Sequence, residues 1–164
     1  MDLEGTVREI APRVLRYARM RTGDASLAEE IAQESLTALV RRWRSSGPPD
    51  SPEAFTFSIA RRRAGRAVVR RKLWVPIEHL LGARDGHPTP EDRLVIRSEH
   101  GRLLAGLARL RPGDREALLM VAVGRLSTRD AAEALGVSAS AVKMRTLRAR
   151  ERLRHLMEDD RAPD

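Results

Sequence analysis

Between Ala139 and Leu156 the chain carries six basic side chains and a single acid. Guanidinium and ammonium groups at that density suit phosphates and the acceptor edges of guanine. The stretch closes the most patterned part of the sequence, "LSTRDAAEALGVSASAVKMRTLRARERLR", which runs from Leu126 to Arg154. On a helical wheel centred on Val142, Thr146, Ala149 and Leu153 share the inward face. Ser140, Met144, Leu147 and Arg148 then point outward, with Lys143 at the flank. An outward methionine and leucine on a basic helix are out of place in water. In a DNA major groove their apolar atoms can meet thymine methyls, while Lys143 and Arg148 reach bases or phosphates. The competing explanation for Leu147 is contact with another protein.

Two helices must hold that row in place. Ser127 fits the cap of the first, and Gly136 fits the left-handed turn residue that glycine adopts at least cost. Ser138 fits the cap of the second. Ala132 is small where the two helices would cross, and Leu135, Val137 and Val142 can fill the angle between them. This spacing specifies a helix-turn-helix.

A second concentration of charge lies in "RRRAGRAVVRRK", Arg61 to Lys72, which has seven basic residues and no acid. Arg61, Arg62, Arg63, Arg66, Arg70 and Arg71 cannot all be paired locally at helical spacing, and they make a surface able to follow a phosphate backbone. Residues 24–34 have the opposite character. They hold Asp24, Glu29, Glu30 and Glu34 with no basic residue, on a helix whose other face is apolar. That island reads as a docking face for a basic protein surface, or as a solvated face.

These segments sit in a chain of 164 residues with a formal net charge of +8 and no cysteine. The charge favours a polyanionic partner over a small acidic substrate. The missing cysteines remove disulfides and zinc–thiolate sites and fit a reducing compartment. No apolar run approaches membrane-spanning length, so the expected location is the cytoplasm, away from membranes. His79, His87, His100 and His155 are scattered without an accompanying nucleophile, acid or metal-ligand spacing. The sequence therefore calls for no catalytic residue, no metal and no cofactor.

The expected fold class is all-α: two small helical domains joined by a flexible linker. A first helix includes Pro12 to Arg21, with Val14, Leu15 and Ala18 buried; Pro12 either opens it or kinks it. A second, from about Ser26 to Arg44, begins with a capping-box pattern from Ser26 to Glu29. Ser51 and Pro52 start a third that runs through Lys72. The proline- and glycine-rich stretch after it reads as a tether, with a short ordered turn at Ile77 to Leu81. Thr89, Pro90 and Asp92 start a helix whose Leu103, Leu104, Leu107 and Leu110 form an apolar stripe, and Pro112 starts the next. The expected boundaries are 1–75, a linker over 76–92, a second domain over 93–158, and a disordered tail over 159–164.

"GDASLAEEIAQESLTALVRRW" followed by "FTFSIARRRAGRAVVRRK" resembles the core-binding and promoter-melting domain of extracytoplasmic-function (ECF) sigma factors. "LRPGDREALLMVAVGRLSTRDAAEALGVSASAVKMRTLRARERLR" is similar to their second domain. The resemblance implies a factor that binds core RNA polymerase, recognises the minus-thirty-five promoter element and helps open the minus-ten element. It implies polymerase contact by Glu29, Glu30, Gln33, Glu34 and Trp43, and capture of a flipped minus-ten base near the loop Ser45 to Glu53. It also implies upstream-element contact by Lys143, Met144, Leu147 and Arg148, in agreement with the wheel. An anti-sigma factor is the implied regulator. Relatives usually place a tryptophan–leucine pair where this chain has Phe55 and Thr56. They place asparagine and aspartate where it has Arg62 and Arg66, and an apolar residue where it has Thr146. Phe55 and the arginines of the basic run are thus the expected minus-ten and backbone contacts. The alternative is a stand-alone helix-turn-helix regulator whose N-terminal half senses a ligand or dimerises.

Overall fold

The computed structural model describes the backbone of residues 2–80 and 99–159, and side chains over 2–69 and 99–159. The described residues form seven α-helices and one π-helical turn, with no strand among them. Helix α1 spans Leu3–Thr22, α2 Ala25–Ser46 and α3 Pro52–Leu80. After the tether come α4, Glu99–Ala108, and α5, Pro112–Leu118. The π turn Leu119–Val123 follows, then α6, Thr128–Leu135, and α7, Ala139–Asp159.

The caps explain most of these limits, and they correct two expectations. Asp2 accepts a bond from the Gly5 amide at 2.6 Å, so α1 begins nine residues before Pro12, which stands inside the helix. α2 is capped by Asp24, which accepts from the Leu27 amide at 2.9 Å, rather than by Ser26. Gly23, at φ 67°, ends α1 in the left-handed region. Asp24 is then the first extended residue, and its carboxylate reaches the free amides before Ser26 can. Ser51 caps α3 as expected, receiving the Ala54 amide at 3.0 Å. α3 runs on past Lys72 through Pro76 to Leu80, beyond the expected boundary at 75 and into the expected turn. The rest of the tether, the helix start at Thr89 to Asp92 and the tail from 160 lie outside the described residues.

In the C-terminal half, Ser127 receives the Asp130 amide at 3.0 Å and Ser138 the Ala141 amide at 3.1 Å. Gly136 sits at φ 66° between the two helices. Ala132 and Val142 are buried at the crossing, and Leu107 and Leu110 carry the expected stripe into the core. Helices α1, α2 and α3 pack on one another, and α7 packs on α4, α5 and α6. Thr146 is buried on the inward face of α7, and its hydroxyl has no partner.

The two halves also meet. α1 and α3 pack against the π turn and α6, and one apolar cluster runs from Ile10 and Phe57 to Leu119, Val142 and Leu156. Tyr17 and Phe57, both fully buried, stack edge to face at 5.4 Å. Across the seam the Tyr17 hydroxyl donates to Glu116 Oε2 at 2.6 Å, and Arg21 Nε donates to Glu116 Oε1. Arg13 donates to the carbonyls of Gly124 at 2.9 Å and Arg125 at 3.2 Å. Ser51 donates to Asp130 at 2.8 Å. A Cβ on Gly124 would lie 2.6 Å from the Phe57 ring, so only glycine allows this approach.

Burial, reinforced by the Glu116 charge, pushes the Tyr17 phenol well above its ordinary range. The folded chain therefore holds that proton more tightly than the unfolded chain, whose tyrosine titrates near pH ~10. Stability from this group is complete below pH ~10 and is lost as pH rises through the higher folded value. Tyr17 is the only tyrosine, so near-ultraviolet tyrosinate absorbance reports it alone. Ionisation should be delayed in the native chain and ordinary in urea, and Glu116→Gln should bring it partway back. An ordinary native titration would contradict the buried pair. On α7, Thr146→Val should raise stability by about 1 kcal/mol in a denaturant melt, because it removes an unpartnered buried hydroxyl. A loss of similar size would mean that the hydroxyl is bonded in solution.

Candidate nucleic-acid interface

Helix α7 divides as its sequence pattern requires. Val142, Thr146, Ala149 and Leu156 are buried, and Ser140, Lys143, Met144, Leu147 and Arg148 are all exposed. Met144 is 52% exposed and Leu147 50%, a level that only Val69 exceeds among the large apolar side chains described. The structure thus brings all five expected upstream-contact residues onto one outward row, held by the packing of Val142 and Ala149 against the rest of the half.

Arg148 is not loose on that row. Its Nη2 donates to Asp114 Oδ1 at 2.8 Å and its Nε to Asp114 Oδ2 at 3.3 Å. Asp114 lies in the first turn of α5, with its side chain only 10% exposed. This forked hydrogen bond also holds the Arg148 guanidinium above its ordinary pKa. Arg109, Arg111 and Arg152 stand around the pair and line an open notch of about 370 Å³. A fork committed on one edge keeps its other donors for a phosphate or a single base edge. Sequence reasoning placed Arg148 and passed over Asp114. An acid two residues after Pro112 reads as an ordinary first-turn helix charge, and nothing local marked it as the partner of a residue 34 positions along the chain.

The basic run on α3 is split by its helical position. Arg62 and Arg66 are exposed, and Arg62 Nε also donates to the Ser58 carbonyl at 3.2 Å. Arg63 is paired with Glu34 across α2 and α3. Arg61 is half-buried near Tyr17, and its Nε is buried without a partner. The side chains of Arg70 and Arg71 lie outside the described residues. Phe55 is half-buried against the core, and Thr56 is fully buried with its hydroxyl on the Pro52 carbonyl at 2.7 Å. Of the expected loop Ser45 to Glu53, Ser45 and Ser46 belong to α2 and Pro52 and Glu53 to α3, and the Ser51 hydroxyl between them donates to Asp130.

On α2, Glu29, Glu30 and Gln33 are exposed on one face, while Trp43 is half-buried against the core. Glu29 pairs with Arg19 at 3.4 Å. Glu34 is shared with Arg63, so the exposed acidic face is narrower than the sequence island. The described residues hold no group of three or more acids and histidines that could bind a metal ion, and no helix long and apolar enough to cross a membrane.

The comparisons with known proteins fit this geometry. The profile of Sigma-70 region 2 matches residues 6–73, which hold α1, α2 and most of α3. The profile of Sigma-70 region 4 matches residues 100–153, which hold the helix-turn-helix. The ECF RNA polymerase sigma factor ShbA of Streptomyces griseus is 34% identical, over 91% of this chain and 84% of its own length. The ECF RNA polymerase sigma factor SigD of Mycobacterium tuberculosis is 31% identical, over 93% of this chain and 75% of its own. The solved structure of CnrH in complex with the cytosolic domain of CnrY superposes with a TM-score of 0.71 at 23% identity. That match covers 96% of this chain and 88% of CnrH. The sigma factor RpoE in complex with the anti-sigma factor NepR, from Bartonella quintana, gives a TM-score of 0.68 at 22% identity, covering 96% and 98%. Paired region 2 and region 4 folds, in this order and over this much of the chain, place it in the family of extracytoplasmic-function RNA polymerase sigma factors.

Proposed function

We propose that this sigma factor docks on core RNA polymerase through the exposed acids of α2 and reads the upstream promoter element with the outward row of α7. It grips the minus-ten region chiefly through the exposed arginines of α3. The observation that carries the proposal is that row: Met144 and Leu147 half-exposed beside Lys143 and Arg148, on a helix whose other face is buried. Half-exposed apolar side chains next to cations match the mixed surface of a major groove. The chain supplies recognition and positioning, and the chemistry of RNA synthesis belongs to the polymerase. CnrH and RpoE are solved with CnrY and with an anti-sigma factor, respectively, which supports an anti-sigma partner here too. A stand-alone regulator would share the helix-turn-helix but would have no use for a region 2 fold.

Reconstitution with core polymerase on genomic promoter fragments tests the whole reading. Specific run-off transcripts are expected without any other sigma factor, and their absence would overturn it. Glu30→Lys should weaken core binding several-fold with unchanged circular dichroism, since the side chain is exposed; equal affinity would remove α2 from the dock.

Leu147→Ala should leave the melting curve unchanged and reduce discrimination between matched and scrambled upstream elements. Arg148→Ala should cost about 1–3 kcal/mol of specific binding if its free edge meets a base. If it meets a phosphate, both DNAs should lose affinity equally and the salt dependence should flatten. Titrations at two salt concentrations separate these results. Parent-like binding by both variants would show that the outward row of α7 is not the contact surface.

A further inference from the structure

We propose that the notch between the α4–α5 corner and the later turns of α7 is a phosphate-binding site that grips the DNA backbone bordering the bases met by the outward row. The inference rests on the proposed upstream contact for its place on the DNA, and on the notch itself for its chemistry.

The corner is the stretch "RLRP", Arg109 to Pro112. α4 ends in a tightened turn, where the Arg109 amide donates to the Gly106 carbonyl at 3.1 Å and the Leu110 amide to the Leu107 carbonyl at 3.2 Å. Pro112 opens α5 and disfavours a helical conformation in the residue before it. Arg111 accordingly stands extended, at φ -58° and ψ 138°. Leu110 is buried and anchors the corner, while Arg109 and Arg111 on either side of it are exposed. One buried leucine thus holds two guanidinium groups out toward solvent.

α7 supplies the opposite wall. Arg148 and Arg152 are one turn apart on it, and both are exposed. With Arg109 and Arg111 they line the open notch of about 370 Å³, together with the buried Leu110 and Asp114. Both Asp114 oxygens are engaged by Arg148. Four guanidinium charges less one carboxylate leave the notch a net +3. No described acid pairs with Arg109, Arg111 or Arg152. A concave place lined by one sign of charge, with an apolar wall, focuses its field into the opening. Guanidinium forks gathered there suit a group that offers several anionic acceptor oxygens. Phosphate is that group.

The dimensions of α7 decide which phosphates these are. Its 21 residues extend over about 30 Å at about 1.5 Å per residue. A recognition helix enters the major groove by its N-terminal residues, and the groove is about 12 Å wide and about 8.5 Å deep. Ser140 to Arg148 already covers about 12 Å of helix. The turns after Arg148 therefore emerge at the groove wall, where the bordering strand passes. Arg152 lies about 6 Å beyond Arg148 along the axis, with the corner arginines across the notch from it. An acidic protein surface is the competing occupant. Arg148 favours DNA, because it belongs to both the outward row and the notch, so one duplex can meet the two surfaces together. Contacts of this kind set register and carry no sequence information.

Arg111→Gln combined with Arg152→Gln removes one charge from each wall. Arg150→Gln combined with Arg154→Gln, at exposed sites on α7 outside the notch, removes the same charge elsewhere. The full chain is titrated over a range of salt against duplexes carrying a matched or a scrambled upstream element. The notch variant should keep its melting curve and lose affinity for both duplexes alike. Its slope of log affinity against log salt should be shallower by about 2, since each lost phosphate contact removes about 0.9. The control pair should change that slope by less than half as much. In a second arm, phosphates bordering the matched element are replaced one at a time by uncharged methylphosphonates. One or two replacements should weaken the parent several-fold and leave the notch variant unaffected. Equal slopes for parent and notch variant, an equal change in the control pair, or a methylphosphonate effect that is absent from the parent or persists in the variant would overturn the site. Parent-like DNA binding with weakened binding to core polymerase would give the notch to a protein and overturn it too. A parent that does not prefer the matched duplex fails the upstream reading instead, and the salt slopes on either duplex still decide the notch.

Discussion

Glu116 is a carboxylate buried in the middle of a chain whose basic side chains outnumber its acids 31 to 23, and the arrangement of everything else follows from where that charge goes. An isolated buried carboxylate is costly, so its hydrogen bonds to Tyr17 and Arg21 are conditions of its burial and not additions to it. Tyr17 and Arg21 are one helical turn apart on α1, so satisfying Glu116 fixes both the rotation of α1 and its position against α5. Phe57 then lands under the π turn, where a side chain at Gly124 would collide with its ring. The apolar cluster becomes continuous across the seam because a polar contact has set its register.

A similar division of labour appears on α7. Three of its four buried residues, Val142, Thr146 and Ala149, are small or β-branched, which lets the helix lie close to its neighbours. Beyond Ser140 the outward row is long: Lys143, Met144, Leu147 and Arg148. Arg148 is steered by Asp114, whose own burial gives the tie a geometry that two exposed partners would lack. With Arg148 held in this way, the adaptable members of the row are Lys143, Met144 and Leu147. Under the proposed function, discrimination among bases then falls more heavily on the apolar pair and on Lys143 than charge alone suggests.

The local signals in the sequence were legible and the long-range ones were not. Ser51, Ser127, Gly136 and Ser138 act within three or four residues, and each stands where its spacing placed it. The wheel on α7 needed only the helical period and one buried valine. At α2 the capping-box pattern at Ser26 lost to Asp24, because the turn at Gly23 decides which residue is first to be extended. α3 exceeded its expected length because a proline after a long helical run does not by itself end the helix. The bond between Tyr17 and Glu116 spans 99 residues, and no periodicity joins such positions. Arg61 looked like its neighbours in a basic run, yet helical rotation turns it toward the seam while Arg62 and Arg66 face out.

That rotation bears on how the minus-ten region is held. Strand-opening surfaces gain affinity by stacking bases on aromatic rings, and this chain has few rings to offer. Tyr17 and Phe57 are consumed by the core, Trp43 is half-buried, and Phe55 is partly turned inward. Thr56 contributes nothing outward, because its hydroxyl caps a carbonyl within α3. The described outward groups on α3 include the cations Arg62 and Arg66 and the apolar Val69; the family resemblance implies an amide and a carboxylate where the two arginines stand. Exchanging those for guanidinium groups trades base-edge hydrogen bonding for phosphate attraction, which tracks a backbone but carries little sequence information. Selectivity under the proposed function would then reside mainly in α7, with α3 supplying grip. Such grip is strong only when both halves engage one DNA at once, as linked sites raise each other's effective concentration.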